Sequence, residues 1–446
     1  MRVFYRRVEI WGAERLPGSG PLIVCANHLN ALADPIILQS FVSCPLHPLA
    51  RSGLFRNPLM WPLLWLAGAI PVYRRRPERA GAAPGDSGRN DRTFRRATSL
   101  LAEGGAILIF PEGESHSDPR LKPLKTGAAR IATAARLEHG LDVPLLPMSL
   151  TFTRRGRFRS SVLVQVGRPV SHRSASRESD PAAAVRELTE QVEEGLRAIT
   201  LNVDSWADLD FLNRLDRFYR LRRGKRPDAR PLARRFRSLQ RMIAVHRSLR
   251  QRAPRQVESV RRRLRRFERL CRLLGARDDE LVVEHRPLRF LLDLLPRLTP
   301  AILALPIAAA GWITSGPPFF LTRWLGPRMA RRADQYDTSK ILLGLVLFAL
   351  WWGAQVWWVF ETWGWRWALV WTALLGPIAA VAWTFARWRR RLLEELRAFV
   401  VLRSRRDASA YLRGRRDELQ VEIAELARLA KTLPEPGRER DVELAS

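Results

Sequence analysis

The sequence predicts an α/β domain with a mainly parallel sheet, followed by basic helices, a C-terminal membrane-spanning helical region and a charged helical tail. Three observations predict it. Short apolar runs alternate with helical stretches between Pro21 and about Val170, as in strands joined by crossover helices. A strongly basic stretch with helical period runs from Pro231 to Leu274. Two segments without charge, Ile341–Phe360 and Trp367–Ala386, then reach the ~20 residues needed to cross a bilayer core.

Taken in order, Leu22–Ala26 reads as a buried strand and Pro35–Phe41 as the start of a helix. Ala106–Phe110 is a second buried strand, and Gly127–Arg136 is helical. Val143–Phe152 and Val162–Val166 supply further strands, whereas Pro77–Arg92 is polar, rich in Gly and Pro, and reads as a loop. Pro181–Ile199 places Val185, Leu188, Val192, Leu196 and Ile199 at helical spacing, with Asp180 positioned to cap it. Arg247–Arg272 holds eleven Arg against two Glu, yet Val257, Val260, Leu264, Phe267, Cys271 and Leu274 keep helical spacing. Such a helix either packs its apolar stripe under a solvated basic face or lies on anionic lipid. The expected divisions are an α/β domain over 1–225, a basic helical region over 226–287, a membrane region over 288–390 and a helical tail over 391–446.

Composition narrows the class. The chain has 446 residues, 46% hydrophobic and 27% charged, which excludes a disordered, collagen-like or disulfide-scaffold protein. Three widely spaced cysteines, Cys25, Cys44 and Cys271, form no CxxC, so a reducing compartment is the default. The N-terminus is too polar for a secretory signal. A net charge of +32 favours anionic partners: phospholipid, nucleic acid or a phosphate-bearing substrate. A GC-rich genome also produces such a skew, since only five of the 76 basic residues are Lys. Tryptophan separates the partners. Twelve of 16 Trp lie between Trp312 and Trp388, around apolar runs, which is a membrane-interface signal and not a nucleic-acid one.

The membrane region has an expected orientation. Arg323, Arg328, Arg331, Arg332 and Lys340 precede the first span, and Arg387, Arg389, Arg390 and Arg391 follow the second, while Glu361–Arg366 holds one Arg. The basic flanks are therefore expected on the cytoplasmic face, with the α/β domain and tail. Leu298–Phe320 is interrupted by Pro300, Pro306, Pro317 and Pro318. To leave on the face it entered, it is expected to be re-entrant or interfacial. Leu392–Leu433 reads as one or two charged amphipathic helices.

Four short runs carry chemistry. Asn27-His28 directly follows a predicted strand, with Asp34 six positions after His28, and a His with a carboxylate partner is a standard general base. Asp34-Pro35 is also a good helix start, so Asp34 has a capping alternative. Gly68–Arg74 (GAIPVYR) ends in a cation able to hold a phosphate, or in a solvated charge run with Arg75 and Arg76. Phe110–His116 (FPEGESH) runs a strand into a turn at Gly113 whose amides can form an anion nest. Val143–Pro147 (VPLLP) is an apolar strand, core by itself.

In this order, NH…D, GxIPVxR, FPEGxS and VPLLP resemble the glycerophospholipid acyltransferase superfamily, which includes lysophosphatidic acid acyltransferases. The likeness covers about Pro21 to Val170, and Ile109–Ala132 resembles most the fungal-type glycerol-3-phosphate and dihydroxyacetone-phosphate acyltransferases. Ala198–Arg220 resembles that subgroup too, as does the six-residue His28–Asp34 spacing, against five in most of the superfamily. The resemblance implies His28 as the base on the acceptor hydroxyl and Asp34 as its orienting partner. It implies Arg51 and Arg74 at the acceptor phosphate, Glu112 and Gly113 at the glycerol moiety, and Pro147 on the acyl-donor side. Lys125 and Gly127 would fix the following helix, with phosphate contact by Lys125, and His116 would be structural. The implied reaction is direct acyl transfer from an acyl thioester, acyl-CoA or acyl-carrier protein, to a phosphorylated glycerol or lysophospholipid. Neither metal nor nucleotide cofactor is implied, and Cys25 reads as a buried small hydrophobe. A bilayer with anionic phospholipid is the expected partner, and nucleic acid is not. Two alternatives remain: an inactive scaffold that binds anionic lipid, and acylation of another lipid head such as an aminolipid.

Overall fold

β2 (Leu22–Ala26) lies at the centre of a seven-stranded sheet because LIVCA offers no polar side chain to either face, and every one of its residues is buried. The computed structural model describes residues 5–58, 60–73, 87–153, 159–171, 180–222, 231–274, 287–330, 336–404 and 406–432. The chain forms two units. One comprises 1–206, 231–233 and 326–342, and the other 207–230, 234–325 and 343–446.

In the first unit the strand order is β1 (Arg7–Trp11), β7 (Ser161–Val166), β6 (Leu145–Phe152), β2, β5 (Ala106–Ile109), β3 (Leu46–Arg51) and β4 (Ile70–Val72). All pairings are parallel except β6 with β7. Strand side chains alternate between two cores. Ile23, Cys25, Ile107 and Leu145 pack with α4 (Gly127–His139) and α5 (Pro181–Ile199). Val24, Ala26, Leu108 and Leu146 pack with α1 (Ala33–Gln39). Asp180 caps α5 as its position predicts, its side chain accepting from Ala182 N at 2.8 Å. α2 (Trp61–Leu66) joins β3 to β4. α3 (Ser87–Ala102) corrects the end of the loop expected over 77–92, of which 77–86 lie outside the described residues: the chain is helical from Ser87, and Asn90 is drawn in by bonds both from Tyr73 N and to Tyr73 O at 3.1 Å.

The second unit is helical: α6 (Trp206–Arg222), whose first residue belongs to the first unit, then α7 (Leu232–Arg252) and α8 (Pro254–Leu273). The apolar stripe of α8 is buried, with Phe267 edge-on to Phe218 at 5.9 Å, and Arg263 pairs with Glu422 of the tail helix. The stripe is thus covered by protein, which leaves only the outward arginines for a lipid surface. Asp208 knots this bundle. Its buried carboxylate meets Arg250 at 3.1 Å, His246 at 3.4 Å and Arg261. Burial holds His246 below the ordinary histidine value. Removing the shared anion leaves cations facing one another in a buried site. Asp208→Ala is therefore expected to cost about 3 kcal/mol, read from denaturant unfolding of the detergent-solubilised chain. An unchanged midpoint would show that the knot contributes nothing.

Among the described residues, three helices are long and apolar enough to cross a membrane, within α9 (Pro287–Met329), α10 (Tyr336–Trp363) and α11 (Trp365–Ser404). α12 (Arg406–Lys431) is the charged tail. α9 is one continuous helix through all four prolines and so does not turn back as a re-entrant segment would, while the interfacial alternative is left open by a continuous helix. A helical proline orphans the carbonyl four residues earlier. For Pro318 that is Thr314 O, which instead accepts from Trp351 Nε1 at 2.8 Å and Gln355 Nε2 at 3.0 Å of α10. Gln355, the one polar side chain of Ile341–Phe360, is thereby used.

Candidate active site

The carboxyl ends of β2, β5 and β3 lie on one edge of the sheet, where open α/β sheets carry their sites. There they bring His28, Glu112 and Arg51 to the same edge. The loop after β2 turns back so that Asp34, in the first turn of α1, reaches His28. His28 Nδ1 lies 3.0 Å from Asp34 Oδ2, which also accepts from Leu29 N at 2.8 Å and Asn30 N at 2.7 Å. The capping alternative for Asp34 is not realised, since α1 has Leu32 as its cap and no side-chain cap bond. The Asp34 side chain is fully buried, and His28 remains partly open. A carboxylate that accepts from two amides also accepts from Nδ1–H, which leaves the lone pair on Nε2. Phe110 stacks on the imidazole at 3.9 Å between centroids and fixes its plane.

Glu112 supports the same loop from β5. Its Oε1 accepts from His28 N at 2.9 Å, and its Oε2 accepts from Lys122 N at 3.0 Å and from His116 Nε2. His116 Nδ1 accepts from Asp118 N at 3.1 Å, so its proton sits on Nε2 and points at Glu112. His116 N in turn donates to His28 O at 3.1 Å. The fully buried Glu112 carboxylate is thus occupied by three protein donors. His116 stands behind it and is part of the scaffold.

A basic rim adjoins the pair. Gly113 turns the chain with φ +75°, a conformation that favours glycine, and a side chain there would run into Lys125 Nζ. Arg51 Nη2 donates to Gly113 O at 2.8 Å and lies 3.6 Å from Glu114. Arg51 and Lys125 therefore flank one peptide. Gly127 opens α4, where Lys125 N is held by Pro111 O at 2.8 Å. Pro147 is not brought to this rim. It is buried in β6 beside Cys25, packed against Gly167 and Gly195. Arg74 lies outside the described residues. Burial pushes the Cys25 thiol up to about 12, which keeps it protonated and a poor nucleophile.

Sequence reasoning assigned nothing to two groups here. The segment after α5 clamps the loop beyond Glu112: Leu121 N donates to Asn202 Oδ1 at 3.3 Å, Val203 N to Pro119 O at 3.2 Å, and Trp206 Nε1 to Ser117 O at 2.5 Å. Asn30, 1% exposed, has neither side-chain amide atom hydrogen-bonded. Its position between His28 and Asp34 was the available signal.

Comparison with known proteins gives this edge a context. Residues 7–151 match the family model described as Acyltransferase. Glycerol-3-phosphate O-acyltransferase 1 of Saccharomyces cerevisiae is 29% identical over 132 residues, 28% of this chain and 17% of the yeast protein. The 1-acyl-sn-glycerol-3-phosphate acyltransferase of Borreliella burgdorferi is 30% identical over 144 residues, 32% of this chain and 51% of that protein. The chain thus spans from about a sixth to about half of these two relatives. Among solved structures, the 1-acyl-sn-glycerophosphate acyltransferase PlsC of Thermotoga maritima aligns at 22% identity and a TM-score of 0.31, covering 44% of this chain and 72% of that one. The matched residues include both members of the His28–Asp34 pair and the whole Glu112 turn, so the likeness to the acyltransferase family falls on the α/β domain and its sheet edge.

Proposed function

We propose that the chain is a membrane-bound O-acyltransferase of phospholipid biosynthesis. It moves a fatty acyl group from acyl-CoA or acyl-carrier protein to a hydroxyl of glycerol-3-phosphate, dihydroxyacetone phosphate or 1-acylglycerol-3-phosphate. The observation that carries this reading is the His28–Asp34 pair, held with Nδ1 committed to the carboxylate and Nε2 left as a base at the sheet edge. The names of the relatives support the acceptor class.

The chemistry follows from that pair. His28 Nε2 takes the proton of the acceptor hydroxyl as its oxygen attacks the thioester carbonyl. Asp34 stabilises the imidazolium formed. The tetrahedral intermediate collapses, the C–S bond breaks, and His28 returns the proton to the leaving thiolate. An ester and a free thiol result, with no acyl-enzyme and no cofactor beyond the acyl carrier. Arg51 and Lys125 hold the acceptor phosphate, with Arg74 as the third cation expected there. Glu112 acts by positioning His28. Membranes carrying the chain, given labelled acyl-CoA and each acceptor in turn, are expected to transfer acyl groups, and His28→Ala to lower transfer by about 10³-fold. Transfer indifferent to His28→Ala would overturn the mechanism, and no transfer to any acceptor would overturn the assignment.

The basic flanks of α10 and α11 support a cytoplasmic α/β domain and tail, with the short connection between these helices on the opposite face. In sealed vesicles of a Cys44→Ser background, Met329→Cys is expected to label from the face of the α/β domain and Trp365→Cys only from the other. Labelling of both from one face would exclude α10 as a span.

A further inference from the structure

We infer that the face around α2 seats the α/β domain in the interfacial layer of a lipid bilayer, a second hold on the membrane beside the apolar helices. Met60 and Leu64 are buried and fix α2 to the domain, while Trp61, Trp65 and Leu66 are 54%, 72% and 78% exposed and Leu54 just before them is 43% exposed. Single exposed apolar residues are ordinary, but four large ones within one short crossover form a patch that water solvates poorly. Two of them are tryptophans, whose rings favour the headgroup level, and exposed Arg56 in the same turn suits anionic headgroups.

The occupant is named by the neighbouring chain. Residues 326–342 belong to the α/β unit. Thr338 Oγ1 accepts from Leu32 N at 3.1 Å in the loop between His28 and α1, and Ile341 packs on the core that contains Ile37 and Leu38. Thr338 also begins the 26-residue stretch Thr338–Trp363, apolar enough to cross a membrane. The chain therefore departs for the bilayer from the loop that carries the catalytic pair. Arg51, bonded to Gly113, ends β3 on that same sheet edge, and the turn leading to Leu54 and α2 starts there. A domain tethered to a bilayer at this edge presents the patch to lipid before any protein partner. A single-chain acceptor then reaches His28 without leaving the interfacial layer. The seat rests on the membrane reading of α10 and not on acyl transfer.

The test uses the full chain with Cys44→Ser, reconstituted in phosphatidylcholine–phosphatidylglycerol vesicles. Trp65→Cys and Leu66→Cys are labelled singly with an environment-sensitive fluorophore. Glu103→Cys, exposed just before β5 at the opposite sheet edge, is the reference. Lipid with a nitroxide on its acyl chain is expected to quench labels at 65 and 66 several-fold more than the label at 103, with blue-shifted emission. Equal quenching at all three positions, or aqueous emission at both 65 and 66, would overturn the seat and leave the patch to a protein partner. Activity is not read in this experiment, so its outcome is independent of the acyl-transfer assay.

Discussion

Asp34→Asn is expected to lower kcat by about 10³-fold and to leave KM for the acceptor within a few-fold of its value. The carboxylate touches no open surface, so substrate binding does not sense it directly. Its Oδ2 is the common acceptor for His28 Nδ1, Leu29 N and Asn30 N. The amide oxygen of Asn can take that place, keep both backbone bonds and so preserve the loop. What it cannot supply is the negative charge that stabilises the imidazolium when His28 takes a proton. The variant should fold with an unchanged unfolding midpoint and bind acceptor while failing in proton transfer. Activity within a few-fold of the parent would show that His28 does not become charged on the pathway, and base catalysis by this pair would fall.

What the sequence disclosed and what it concealed divide along physical lines. β2, β5 and β6 were legible because each is a bounded apolar run, and a strand buried on both faces leaves that mark. The motif residues were legible because they fall directly after those strands. β1 (RVEIW) and β3 (LHPLAR) were not read as strands: one mixes charge into an edge position, and the other carries His47 and Pro48 and owes its place to pairing with β5 and β4. α2 is too short to show a period, and its Trp61, Trp65 and Leu66 face outward, against the rule by which cores are read from sequence. The continuity of the helix through the α9 prolines was hidden for a different reason. The donors that replace their missing amides sit on another helix, and nothing in the local sequence announces Trp351 and Gln355 as partners of Thr314. Glu112 shows the same limit within the site. Its motif announces that it matters, but only the fold shows that it faces His28 N and not open space.

That placement leads to an outcome opposite in kind to that of a substrate ligand. Glu112→Gln is expected to lower kcat by about 10²-fold with KM for the acceptor nearly unchanged. A carboxylate offers only acceptors, and here it meets only donors: His28 N, Lys122 N and the proton that His116 carries on Nε2. Glutamine must turn its NH2 group toward one side of this arrangement. Facing His28 N, it sets donor against donor under the catalytic loop, and facing His116 and Lys122 it does so under the turn that supports that loop. Either mismatch, in a fully buried site, costs about 1–3 kcal/mol, and the chain relieves it by moving. The segment free to move is the one bearing His28, because the other side is clamped by Asn202, Val203 and Trp206. A displacement of about 1 Å at the base suffices for a hundredfold loss of rate, without touching Arg51 or Lys125. Separate kcat and KM values for glycerol-3-phosphate and for 1-acylglycerol-3-phosphate decide the matter. A raised KM at unchanged kcat would assign Glu112 to the acceptor, and would require the carboxylate to leave His28 when substrate binds.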